Sequence, residues 1–102
     1  MTTIAQFRAS LVDPSPPAAL DLALQALWWE AKGDWERAHD CVQQQEGTAR
    51  GDWMHAHLHR VEGDGGNASY WYRRAGQAVP TVSVEDEWRI MTARLLASCP
   101  SG

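Results

Sequence analysis

Helical spacing governs most of this chain. Between Ala18 and Ala31 apolar side chains fill nearly every position, broken only by Asp21, Gln25 and Glu30. Ser15-Pro16-Pro17 reads as the start of this helix, because a first turn tolerates proline: the N–H it lacks has no partner there. Gly33 stops the run, and Asp34 is placed to cap a second helix from Trp35 to about Glu46, with Trp35, Ala38 and Val42 on its core face and Gly47 at its end. With only a residue or two between them, these helices must fold back on each other as an antiparallel hairpin.

The pattern then returns. Gly51-Asp52 opens a third helix, Trp53 to Glu62; the cluster Gly63-Asp64-Gly65-Gly66 interrupts it; Asp64 or Asn67 caps a fourth, about Ala68 to Ala78, which ends before Pro80. Ser83 caps a final helix with acidic residues in its first turn and an apolar stripe of Val84, Trp88, Met91 and Leu95. Thr3 to Val12 adds a short helix with Ile4, Phe7 and Leu11 on one face. The one Val/Thr-rich piece, Val79 to Val84, contains Pro80, so no strand is expected. The predicted fold is all-α in one domain: an N-terminal segment over 1–14, two hairpins over 17–46 and 52–78, and a C-terminal capping helix over 84–98.

Composition narrows the function. A chain of 102 residues, 44% apolar, buries one core and leaves no room for a second domain. Thirteen acidic against nine basic side chains, a formal charge of -4 and no Lys/Arg run exclude an electrostatic match to nucleic acid. No window reaches the roughly 18 consecutive apolar residues of a membrane span, and the first residues lack the charged start and apolar run of a signal peptide. A cytoplasmic location is therefore expected. Cys41 and Cys99, far apart and without a CxxC, are expected as free thiols. No GxSxG, P-loop or Cys/His nucleophile spacing occurs, and the Gly63 to Gly66 cluster lacks the strand of a dinucleotide fingerprint, so no catalysis and no cofactor are expected.

The two hairpins align without gaps at their turns. Gly33 falls on Gly63, Asp34 on Asp64, Ala38 on Ala68 and Val42 on Tyr72. Glycine ends one helix, aspartate caps the next, small alanine lets helices approach, and a larger apolar group returns four residues on. This resembles the second half of a tetratricopeptide repeat, Ala-x3-Phe and then Pro, and the second copy keeps the likeness through Ala75 to Pro80. The string from Glu62 to Gly76 is also similar to one in small bacterial helical-repeat proteins of unassigned role. The first half of the family pattern is poorly kept, falling on Leu22, Gln25, Ala26 and Trp29 in one copy and on Asp52, His55, Ala56 and His59 in the other. The copies are spaced 30 residues apart rather than about 34. The resemblance implies a short superhelical stack acting as a protein or peptide interaction module. Its concave surface would carry Trp53, His57 and Arg60, beside Ala23, Leu27 and Glu30; an aromatic, a donor and a cation suit a peptide or a terminal carboxylate. Two hairpins leave open ends, so a homodimer is a further expectation.

Two more features invite chemistry. Trp28 falls at the centre of the polar stripe Asp21, Gln25, Lys32, which makes it either an exposed partner anchor or a ring covered by Ile4 or Phe7 of the N-terminal segment. His55 and His59, four apart, share a helix face from which His57 points away. One reading makes His55 and His59 metal ligands together with Glu62 or Asp52, and with His39 brought across from the neighbouring helix. The other packs both rings between helices, each donating a hydrogen bond to a carboxylate or carbonyl. The motif HExxH is absent, since Ala56 stands where its glutamate would.

Overall fold

The structure is a computed structural model that describes residues 2–98; Cys99 lies outside them. Among the described residues the chain is all-helical: α1 (Ile4–Ala9) running into a 3-10 turn (Ser10–Val12), α2 (Leu22–Ala31), α3 (Trp35–Gln43), α4 (Ala49–Val61), α5 (Gly65–Ala75) and α6 (Val84–Ala97).

The glycine-aspartate reversals at Gly33 and Gly63 are built alike. Gly33 and Gly63 take φ of 82° and 89°, left-handed values that glycine reaches without steric cost. The Asp34 N–H donates to the Trp29 carbonyl and the Gly33 N–H to that of Glu30; Asp64 to His59 and Gly63 to Arg60 repeat the pair of bonds. Each aspartate then starts the next helix, accepting the Arg37 N–H at 3.0 Å on Asp34 and the Asn67 N–H at 3.2 Å on Asp64. Packing of α2 on α3 and of α4 on α5 follows. The aligned positions Ala38 and Ala68, Val42 and Tyr72 are all buried.

Several boundaries differ from expectation, the end of α3 among them, at Gln43 rather than about Glu46. The prolines do not start α2: Pro17 ends in a turn to Leu20, and Asp21 is the cap, accepting the Leu24 N–H at 3.0 Å. Gly51-Asp52 does not open α4, because Thr48 caps it three residues earlier and accepts the Gly51 N–H. Gly65 and Gly66 form the first turn of α5, which ends at Ala75 with a left-handed Gly76 rather than at Ala78. Ser83 caps α6 as expected.

α4 is the central rod. Every residue from Met54 to His59 is buried, because α2, α3, α5 and α6 all pack on it. A helix enclosed on every side usually reads as apolar. This one carries three histidines inward, so each must find a polar or aromatic partner.

The surface expected to hold a ligand is occupied by the chain itself. α6 lies against α2 and α4, burying Ala23, Leu27 and His57 completely. Trp88 Nε1 donates to the Leu27 carbonyl at 3.0 Å, and Arg50 ties α4 to the end of α6 through the Leu95 carbonyl at 3.0 Å. Of the two readings of Trp28, the exposed partner anchor is overturned and the covered ring holds: it is fully buried, its Nε1 donates to Ser10 Oγ at 3.0 Å, and Lys32 Nζ sits 5.2 Å from the ring centre while donating to the Leu11 carbonyl. The N-terminal segment supplies that cover. Trp53 is half-buried between the main core and the smaller cluster of Ala56, Ala68, Trp71 and Tyr72.

Candidate metal centre

Two faces of α4 carry two different polar sites. On the face toward α3 and α5, the turn from Asp34 brings His39 of α3 across to His55 and His59. Ligand nitrogens from these three rings lie within 4.8 Å of one another. His39 Nε2 and His55 Nε2 are 3.1 Å apart. Two nitrogens bound to one tetrahedral zinc ion at 2.0–2.1 Å are separated by about 3.3–3.4 Å. One edge of a metal tetrahedron therefore stands nearly ready.

Aromatic stacking sets the ring planes. His55 stacks on Trp71 with centres 3.9 Å apart and planes 18° from parallel, and His39 stacks on Trp35 at 4.7 Å and 11°. Trp35 is itself held by its Nε1 donating to the Leu58 carbonyl. His59 is oriented by a carboxylate: its Nδ1 lies 2.6 Å from Glu62 Oε2. With the proton on Nδ1 directed at Glu62, Nε2 carries the lone pair, met by the Asn67 side-chain amide at the long distance of 3.5 Å. This is how metal-binding histidines are commonly fixed, through a hydrogen bond on the nitrogen that does not ligate. His55, 5% exposed, has no protein partner at Nδ1.

Two of these rings, His39 and His55, sit where protonation is disfavoured. Burial, then the neighbouring His39 and His59, hold the His55 imidazole down to about 4; burial and His59 lower His39 as well. Neutral imidazole is the form that ligates.

On the opposite face, toward α2 and α6, His57 is fully buried between two carboxylates. Its Nδ1 donates to Glu87 Oε1 at 2.6 Å, and its Nε2 stands 2.5 Å from Glu30 Oε1, a close ion pair set off the axis of a hydrogen bond. Arg60 donates to Glu87 Oε1 at 3.0 Å and Tyr72 to Glu87 Oε2 at 2.5 Å. Burial by itself disfavours the imidazolium, but hydrogen bonding and charge from Glu30 and Glu87 outweigh it and raise His57 to about 9. Burial likewise works to raise the Glu87 carboxyl; the donors His57, Tyr72 and Arg60 prevail and hold it below its ordinary value. The pairing of His57 and Arg60 with a carboxylate, expected of a bound peptide, is made inside the chain by Glu87.

The sequence-predicted residues thus separate into two groups. His55 and His59 come together with His39, the ring the metal reading brought across from the neighbouring helix, and Glu62 joins them through His59. His57 and Trp28 are buried, Arg60 is committed to Glu87 and the Val82 carbonyl, and Trp53 is half-buried packing. Asp52, the other candidate ligand, is tied to the Gly47 N–H at 3.0 Å and lies near Arg74. Glu30 and Glu87 escaped the sequence reading as partners of His57; an acidic residue on a core-facing stripe, as Glu87 is beside Trp88 and Met91, was the available signal. Cys41 is buried in the core, and burial raises its thiol, so it stays protonated. No helix is long and apolar enough to cross a membrane among the described residues. Comparison with protein-family models, curated proteins and solved structures found no match.

Proposed function

We propose that this chain is a small helical metal-binding protein that holds one divalent transition-metal ion on His39, His55 and His59. The observation that carries this reading is the convergence of three imidazoles from two helices, one of them braced by Glu62, within 4.8 Å of one another. An all-imidazole donor set with no thiolate suits zinc, copper or nickel and disfavours calcium and magnesium, which prefer oxygen. The ion would pin α3 to α4 and take the place of the direct contact between His39 Nε2 and His55 Nε2.

The test is equilibrium dialysis of chelator-treated protein against zinc, followed by thermal melting. One equivalent should bind, and at a free concentration 100 times the dissociation constant the fold should gain about 2.7 kcal/mol. His59→Ala and His39→Ala should each lose stoichiometric binding while staying folded, because neither ring lies in the main core. Equal binding by wild type and both variants would rule the site out.

A tetratricopeptide-like interaction module is the second reading. Its support is an open groove of about 600 Å³ lined by Leu11, Val61, Val84 and Trp88 together with Arg8, Glu30, Glu85 and Arg89. An apolar bed flanked by both signs of charge suits a peptide or protein segment, with self-association as one form of it. Of the surface expected from the repeat pattern this groove shares Glu30 and none of Trp53, His57 and Arg60. Arg89→Glu should weaken any such partner; unchanged self-association and unchanged peptide binding in that variant would remove the reading.

A further inference from the structure

Counting the donors around the histidine cluster leads one step further, resting on the metal reading above. We infer that the ion held by His39, His55 and His59 keeps one coordination position for an exogenous ligand, water or a small monodentate anion. The other protein donors nearby each hold a role elsewhere or lie outside the cluster of three rings. Glu62 Oε2 is taken by His59 Nδ1, where it orients the ring. Asp64 groups with His59 and Glu62 but not with His39 and His55, and it serves as the cap of α5 by accepting the Asn67 N–H. Asp52 accepts the Gly47 N–H and lies 3.8 Å from Arg74 Nε. Cys41, two residues past His39, is packed in the core with Ala38 and Val42.

Zinc centres that serve structure are closed by four protein ligands, whereas three protein ligands leave the fourth corner of the tetrahedron open. Here the inner sides of the site are walled by Trp35 and Trp71, stacked on His39 and His55. The outer side is not: His39 is half-buried, and Glu62 and Asn67 are exposed. The open corner therefore faces solvent between the end of α4 and the start of α5. Asn67 stands at this mouth, its side-chain amide 3.5 Å from His59 Nε2. That is too long for a good hydrogen bond to the ring, but it suits a contact to a fourth ligand. Asn67 is thus a positioning residue for the incoming ligand, which enters by displacing water with no change in the protein donors.

Cobalt(II) substitution of the full chain reads both questions separately. One equivalent of cobalt should give the intense visible bands of a four-coordinate centre, and sodium azide should then shift them with one anion per cobalt. Asn67→Ala should keep the cobalt spectrum and weaken azide about five- to tenfold, the effect of one hydrogen bond. Failure to bind cobalt or zinc would remove the metal reading itself. Stoichiometric cobalt whose spectrum ignores both azide and thiocyanate would keep the metal and overturn the open position. A spectrum altered by Asp64→Asn in the absence of azide would also overturn it, by showing that a carboxylate fills the corner.

Discussion

Replacing Glu87 with glutamine probes a deeply buried charge network of this fold. Three donors converge on this carboxylate: His57 Nδ1 at 2.6 Å, Arg60 at 3.0 Å and Tyr72 at 2.5 Å. Glutamine keeps the shape but removes the charge and turns one oxygen into an NH2 that faces donors instead of accepting from them. The size of the loss follows from His57. A rise from 6.5 to about 9 corresponds to roughly 3 kcal/mol of preference for the charged ring in the folded state, at 1.36 kcal/mol per tenfold. Removing one partner of a buried pair costs about 3–5 kcal/mol in general, so the two routes agree. Urea unfolding followed by tryptophan fluorescence should show a loss of about 3 kcal/mol, or a fall in melting temperature of roughly 12–24 °C. The pH profile supplies a second reading. Because the folded value of His57 is raised, its contribution is complete below pH 6.5, the unfolded value, and is lost as pH rises through about 9. Glu87 has the opposite sign: its value is lowered from 4.5, so its contribution is present above that pH and is lost as pH falls through the lowered value. Wild type should therefore weaken between pH 6.5 and 9.5, and Glu87→Gln should flatten that slope. A loss under about 1 kcal/mol, with the wild-type slope retained, would refute a dry, charged His57 and mean that water reaches the network.

Two substitutions test the corrected packing. Trp28→Phe removes the bond to Ser10 Oγ and part of a fully buried ring, and should cost about 1–3 kcal/mol in urea titration without altering sedimentation; a change in self-association at unchanged stability would restore the partner-anchor role. Gly51→Ala, a change that gains about 1 kcal/mol in a free helix, should instead destabilise by about 1–3 kcal/mol in a thermal melt, because the new methyl would meet Gln45 Cβ at 2.7 Å and press on the backbone carbonyl of that residue; a higher melting temperature would show that the turn before α4 yields.

How much was legible depended on how far apart the cooperating residues lie. The reversals at Gly33-Asp34 and Gly63-Asp64 and the cap at Ser83 could be read directly, since a left-handed glycine and a capping side chain act within a few residues. The same local grammar misled at Gly51-Asp52. There glycine is required not to end a helix but to let the Gln45 turn approach α4, and Thr48, an equally good cap, lay three residues upstream. Pro16-Pro17 misled likewise, because tolerance of a first turn is not a demand for one, and Asp21 held the capping role. Half of the histidine site was visible as the i, i+4 pair on α4. His39 followed only from the hairpin's closure, and the brace from Glu62 follows from the last turn of α4.

The sequence by itself determined the number and order of the helices around these turns, the all-α class and the shared face of His55 and His59, because short-range sterics and periodicity set each of them. Only the tertiary structure decided that α6 would lie on α2 and α4, that Trp28 would be covered, and that His57 would meet Glu30 and Glu87 while its neighbours two residues away met His39. Those outcomes depend on which apolar faces pack together across 27 to 61 residues of chain, a choice made by the whole core and written at no single position.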